Sequence, residues 1–132
     1  MEANIKDIKT QPLRPQMSVN KLVHDFEDVN KGSINSYDFV FTNISDRDII
    51  ITQARASCGC TAPSYDKDKV IKPNETSTIT ANYTAGHTSG TVAKFITVTY
   101  NWHIIESNNA LTKEQKNHTT QMTKLEIKAN II

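Results

Sequence analysis

The stretch SINSYDFVFTN at residues 33–43 alternates Tyr37, Phe39 and Phe41 with Asp38, Val40 and Thr42. A period of two places the rings on one face of an extended chain and the smaller or polar side chains on the other, the pattern of a half-buried strand. The same rhythm returns at 119–131, where Leu125, Ile127, Ala129 and Ile131 stand opposite Lys124, Glu126, Lys128 and Asn130. An apolar face of this kind must be covered by a second layer.

Between these runs the chain keeps producing short extended segments separated by turn residues. MSVNKLVHDF at 17–26, with Val19, Val23 and Phe26, reads as an edge strand with a kink. ISDRD at 44–48 is a turn, and IIITQARA follows with Ile49, Ile51 and Gln53 on one face, so the strands on either side of it are expected to lie adjacent and antiparallel. Pro73, Asn74 and Glu75 form a turn ahead of a strand that turns Ile79, Ala81 and Tyr83 inward. GHTSG at 86–90 is a tight connection, and Ile96, Val98 and Tyr100 share a face of the next strand. The pattern predicts an all-β, immunoglobulin-like β-sandwich of about seven strands. Residues 1–16, with Pro12 and Pro15, form an extended N-terminal arm, and residues 17–132 form the domain. A long excursion at 101–118 breaks the strand rhythm, with ALTKEQKN able to form a helical turn or two.

At 132 residues the chain holds one domain with a core of its own. Fifteen Lys and Arg against fourteen Asp and Glu leave a net charge of +1, too little to gather nucleic acid. No stretch approaches the ~18 apolar residues of a membrane span, and the start MEANIKDIKT has no basic region followed by an apolar one, so neither membrane insertion nor an export signal is expected. The glycines are scattered at 32, 59, 86 and 90, without a phosphate-binding loop, and there is no nucleophile elbow. No two of His24, His87, His103 and His118 have ligand spacing with each other. No catalytic residue, metal or cofactor is expected.

Cys58 and Cys60 flank Gly59 in RASCGCTAP. In an extended strand their α-carbons would be about 6.7 Å apart, at the long end of what a disulfide spans, so a bridge needs a bend at Gly59. The plainest reading is a pair of small buried side chains at a strand end, with a structural bridge or a redox-active thiol pair as the alternatives. In its context this motif resembles a bacterial family of immunoglobulin-like domains of unknown function, abundant in Bacteroidota and similar to Hydin-like and major-sperm-protein modules. The residues carrying the resemblance are His24, Asp25 and Phe26 near the first strand, Ala56 through Thr61 after the third, and Pro73 in the later turn. It spans roughly 17–100, with the last strand at 119–131. The resemblance implies the fold, usual export to the cell envelope, and a role as an assembly or scaffold module rather than an enzyme.

With no catalytic constellation, what remains is surface. Pro12, Leu13, Arg14 and Pro15 on the arm, and Trp102, His103, Ile104 and Ile105 on the excursion, are the candidate partner contacts. The expected function is a non-enzymatic attachment module, an auxiliary decoration protein of a phage head or other virion whose partners are other subunits of that assembly. The alternatives are an exported periplasmic or cell-envelope binding module and a thiol-based redox protein.

Overall fold

The computed structural model describes residues 13–103 and 113–132. Among these lie nine strands: β1 (Met17–Val19), β2 (Val23–Val29), β3 (Ile34–Asn43), β4 (Ile49–Ala56), β5 (Thr61–Ser64), β6 (Val70–Ile71), β7 (Thr76–Thr84), β8 (Gly90–Trp102) and β9 (Thr120–Ile131). A short helix, α1 (Lys113–Lys116), precedes β9. The strands form a four-stranded sheet in the order β1-β3-β7-β5 and a five-stranded sheet in the order β2-β9-β8-β4-β6. This is the immunoglobulin-like sandwich that the alternation predicts.

The two apolar faces meet as the sequence pattern dictates. Phe39, Phe41, Ile79, Ala81 and Tyr83 line the four-stranded sheet, and Ile49, Ile51, Ile96, Val98, Tyr100, Leu125, Ile127 and Ala129 line the five-stranded one, all of them buried. Burying each large side chain contributes about 1.5–3 kcal/mol. The longest ladder joins β8 and β9 from Gly90↔Ile131 to Asn101↔Thr120.

Four sequence expectations need correcting. The strands around residues 44–48 are not neighbours: β3 pairs with β7 and β1, whereas β4 pairs with β8 in the other sheet. Gln53 does not face inward, because a bulge between Ile51 and Gln53 shifts the register and brings Ala54 and Ala56 to the core side instead. The kinked first strand is two strands, β1 paired antiparallel with β3 and β2 paired parallel with β9, so the chain changes sheets at residues 20–22. The described count is therefore above seven, with β5 and β6 as further short strands.

The crossing after β3 has a definite cause. Asn43 is fully buried. Its Nδ2 donates to the carbonyls of Arg47 and Ile71, both at 2.8 Å, and its Oδ1 accepts the amide of Ser45 at 2.8 Å. Its own N–H donates to the Glu75 carbonyl, and its carbonyl accepts from Asn74. One side chain thus shapes the 44–48 turn and ties it to β6. Ser45 extends the network, its Oγ accepting the Gln16 amide at 2.7 Å and donating to the Gln16 carbonyl at 3.1 Å. We expect Asn43→Ala to lose about 3 kcal/mol in denaturant unfolding, since the change strands a buried amide and two buried carbonyls; a loss under about 1 kcal/mol would contradict this role.

Candidate functional site

β3 is ten residues long, but β1 covers only its last part, from Phe41 to Asn43. The hydrogen-bond parity shows where the remaining backbone groups point. Asn43 N–H reaches the β7 side at Glu75 and Ser33 carbonyl reaches Ala85, whereas the Val40 carbonyl and Ile44 amide face β1 through Asn20 and Gln16. Even-numbered residues therefore turn their backbone groups away from β7. Beyond β1, the Asn20 side chain ends the ladder: its Oδ1 accepts the Val40 amide at 2.8 Å, and its Nδ2 donates to the Tyr37 hydroxyl at 3.2 Å and the Asp38 carbonyl at 3.5 Å. Past that cap no described strand pairs with the outer side of β3, so Ile34 and Ser36 present their N–H and C=O groups along an open edge. Ile34, at its tip, is 73% exposed.

Aromatic residues floor the seam beside this edge. His24 on β2 stacks on Tyr37 of β3 with ring centroids 3.7 Å apart, and meets Phe26 edge-on at 4.7 Å. Tyr37 in turn meets Phe39 edge-on at 4.9 Å, and the Lys21 ammonium lies 5.4 Å from the Tyr37 ring centre. Burial holds the His24 imidazole below its ordinary value, the Lys21 charge adds to this, and Asp25 and Glu27 work against it.

The other described edges carry features that discourage pairing: β1 is three residues long, and β4 beyond Ile50, where β6 ends, bulges between Ile51 and Gln53 and carries the exposed Arg55. β2 breaks its register between Asp25 and Asp28, Glu27 takes φ 61°, and the Asp25 carboxylate accepts the Glu27 amide at 2.8 Å. Asp25, Glu27 and Asp28 with Lys128 and Asn130 line a shallow cleft of about 580 Å³ there. Charge and bulge both discourage strand addition. β5 is short and carries Pro63, and β6 is two residues long. Among the described residues no group of three or more His, Cys, Asp or Glu side chains comes together to hold a metal ion.

The cysteines correct the plainest sequence reading. Cys58 and Cys60 are bonded, and each is half-buried rather than buried. The chain bends through residues 57–60, where it leaves β4 for β5 in the opposite sheet, and this brings the α-carbons to 5.4 Å. The crossover is anchored independently of the bridge: Ser57 N–H donates to the Phe95 carbonyl at 2.8 Å, Ser57 Oγ accepts the Phe95 amide at 3.1 Å, and the Cys60 carbonyl accepts the Thr84 amide at 2.8 Å. A ring closed over a single intervening residue removes little unfolded-state entropy, about 1.5 kcal/mol.

Of the predicted partner contacts, two are corrected. Trp102 is 3% exposed because β8 runs on to it, pairing it with Ile49, and it belongs to the core. Pro15 is buried next to the Gln16–Ser45 hydrogen bonds. Leu13 and Arg14 are exposed, and His103 is half-buried with its amide on the Asp48 carbonyl. Pro12, Ile104 and Ile105 lie outside the described residues. Sequence reasoning missed Asn20, Ile34 and Ser36, because edge position depends on which strands pair.

Two outcomes follow from this geometry. An unfolded His24 titrates near 6.5 and the folded one below it, so the neutral form favours folding: stability is complete above about pH 6.5 and falls as pH drops through the lowered folded value. Denaturant midpoints across pH 4–8 should show this for the wild type and less of it for His24→Phe; parallel profiles would remove the assignment. Replacing both Cys58 and Cys60 by Ser should cost no more than about 2 kcal/mol, and a loss of about 4 kcal/mol would show the bridge to be a major staple.

Comparison with solved structures places this geometry in a broad fold group. The PapD-like domain 7 of human CEP192 matches with a TM-score of 0.65 at 11% identity, over 93% of this chain and 89% of that one. A protein of unknown function from Porphyromonas gingivalis W83 matches at 0.63 and 10% identity, over 92% of this chain and 49% of that one. The E. coli chaperone DraB matches at 0.60 and 9% identity, over 89% and 56%. The chain thus spans about half the length of the last two, and at these identities the likeness is one of fold. No curated protein matches the sequence. The family described as "Protein of unknown function (DUF1573)" matches residues 17–131, and the chain belongs to that family.

Proposed function

We propose that the protein is a non-enzymatic protein-binding module that takes an extended partner segment along the open half of β3. The observation that carries this reading is the contrast between edges: β1, β2, β4 beyond Ile50, β5 and β6 are short, bulged or charged, while Ile34 and Ser36 leave a regular stretch of a long strand that no described strand pairs. A partner strand there would gain main-chain hydrogen bonds from the even-numbered residues, and the His24–Tyr37 seam offers an aromatic surface for alternate side chains. Chaperone domains such as DraB share the fold, which agrees with a protein partner.

The partner's setting is part of the proposal. A bonded cysteine pair suits an oxidising compartment, which favours the periplasm or cell envelope. Decoration of a phage head or other virion would use the same edge and differ in the protein it contacts.

A photo-crosslinking amino acid at Ile34, with the well-exposed Met122 on the other sheet as the control, tests the reading in the producing cell. Adducts at position 34 should exceed those at 122 by about tenfold and disappear with Ser36→Pro, which blocks the edge without removing a backbone hydrogen bond to β7, although the Ser36 Oγ bond to Asn82 Oδ1 is lost. Mass spectrometry of the adduct separates envelope from virion partners. Equal labelling at both positions, or adducts that survive Ser36→Pro, would overturn the edge.

A further inference from the structure

We propose that the Cys58–Cys60 bridge is a thiol–disulfide exchange site that accepts electrons from a dithiol of a partner protein, with Cys60 as the sulfur attacked and Cys58 as the leaving thiolate. Access is the first support. Both cysteines are half-buried at the crossover, so each keeps part of its surface in solvent, and a side chain built onto the intervening Gly59 would meet nothing within 4 Å.

Direction is the second. Cys60 lines a cleft of about 240 Å³ with Thr84, His87 and Lys94, and Cys58 does not. A thiolate entering that cleft meets Cys60, and the cationic Lys94 favours its arrival. Meanwhile the Cys60 amide donates to Cys58 Sγ at 3.3 Å, a contact that stabilises negative charge on the departing sulfur. Displacement runs best when the leaving thiolate is the stabilised one.

The third support is that the fold does not need the bond. Ser57 is held to Phe95 and Cys60 to Thr84 by hydrogen bonds that reduction leaves in place. A labile bridge can therefore open in the folded protein.

The steps balance. A partner thiolate attacks Cys60 Sγ, forming a partner–Cys60 disulfide and expelling Cys58 as thiolate. The partner's second thiolate then attacks its own sulfur in that mixed disulfide, closing the partner's disulfide and releasing Cys60 as thiolate. The two protons given up by the partner are taken by Cys58 and Cys60. One partner dithiol is oxidised and one bridge is reduced.

The test uses the full-length oxidised protein and a synthetic peptide carrying two cysteines. The peptide should be oxidised mole for mole while circular dichroism shows the protein still folded, with the new thiols mapped to Cys58 and Cys60 by alkylation and mass spectrometry. A peptide with a single cysteine, which can open the bridge but not complete the exchange, should be found joined to Cys60 about tenfold more than to Cys58 when the freed protein thiol is alkylated and the adduct mapped by mass spectrometry. A two-cysteine peptide left reduced by the folded protein overturns the proposal, and equal joining of the single-cysteine peptide to Cys58 and Cys60 overturns the assignment of the attacked sulfur.

Discussion

The ladder between β8 and β9 is the constraint on which the rest of the sandwich depends. It runs without interruption from Gly90↔Ile131 to Asn101↔Thr120 and sets Ile96, Val98 and Tyr100 beside Leu125, Ile127 and Ala129 on one face. β2 and β4 add to its two sides, and the four-stranded sheet covers its apolar face. Because side chains alternate, a slip of one residue would turn that whole face to solvent, so the pairing is specified by the cost of exposing it.

The faces of the strands were legible in the sequence, and their partners were not. Phe39, Phe41, Ile79, Ala81, Tyr83 and Leu125 are buried as their spacing predicts. A turn such as 44–48, however, reads the same whether the chain folds back within a sheet or crosses to the other. That choice is made by Asn43, whose bond to the Ile71 carbonyl reaches 28 residues along the chain. The bulge that turns Gln53 outward and the burial of Trp102 depend likewise on the neighbouring strand β8. The cysteine pair followed the same logic: extended geometry keeps the α-carbons apart, and only the crossover between sheets bends the chain enough to join them.

The candidate surface arises from where the first strand leaves. β1 covers β3 for three residues, then the chain crosses to β9, and Asn20 seals the end of the short ladder. The same crossing that gives the five-stranded sheet its parallel edge strand leaves the first half of β3 with no described strand on its outer side. Sheet edges elsewhere are short or carry a bulge, charged side chains or a proline, which makes the open stretch a feature of the topology and of this sequence together. The bridge lies just before β5, the opposite edge of the same sheet, so strand addition and thiol exchange occupy separate edges.

Native-state hydrogen exchange of the β3 amides tests the central claim most directly. In the free protein the Asn35, Tyr37 and Phe39 amides, which face β7, should exchange slowly, while the Ile34 and Ser36 amides, on the same strand but facing outward, should exchange at near the rate of an exposed chain. Alternation of this kind would establish a free edge on an otherwise rigid strand. Uniform protection from Ile34 to Phe39 would mean that the edge is already covered, and the account of how this protein takes a partner would fail.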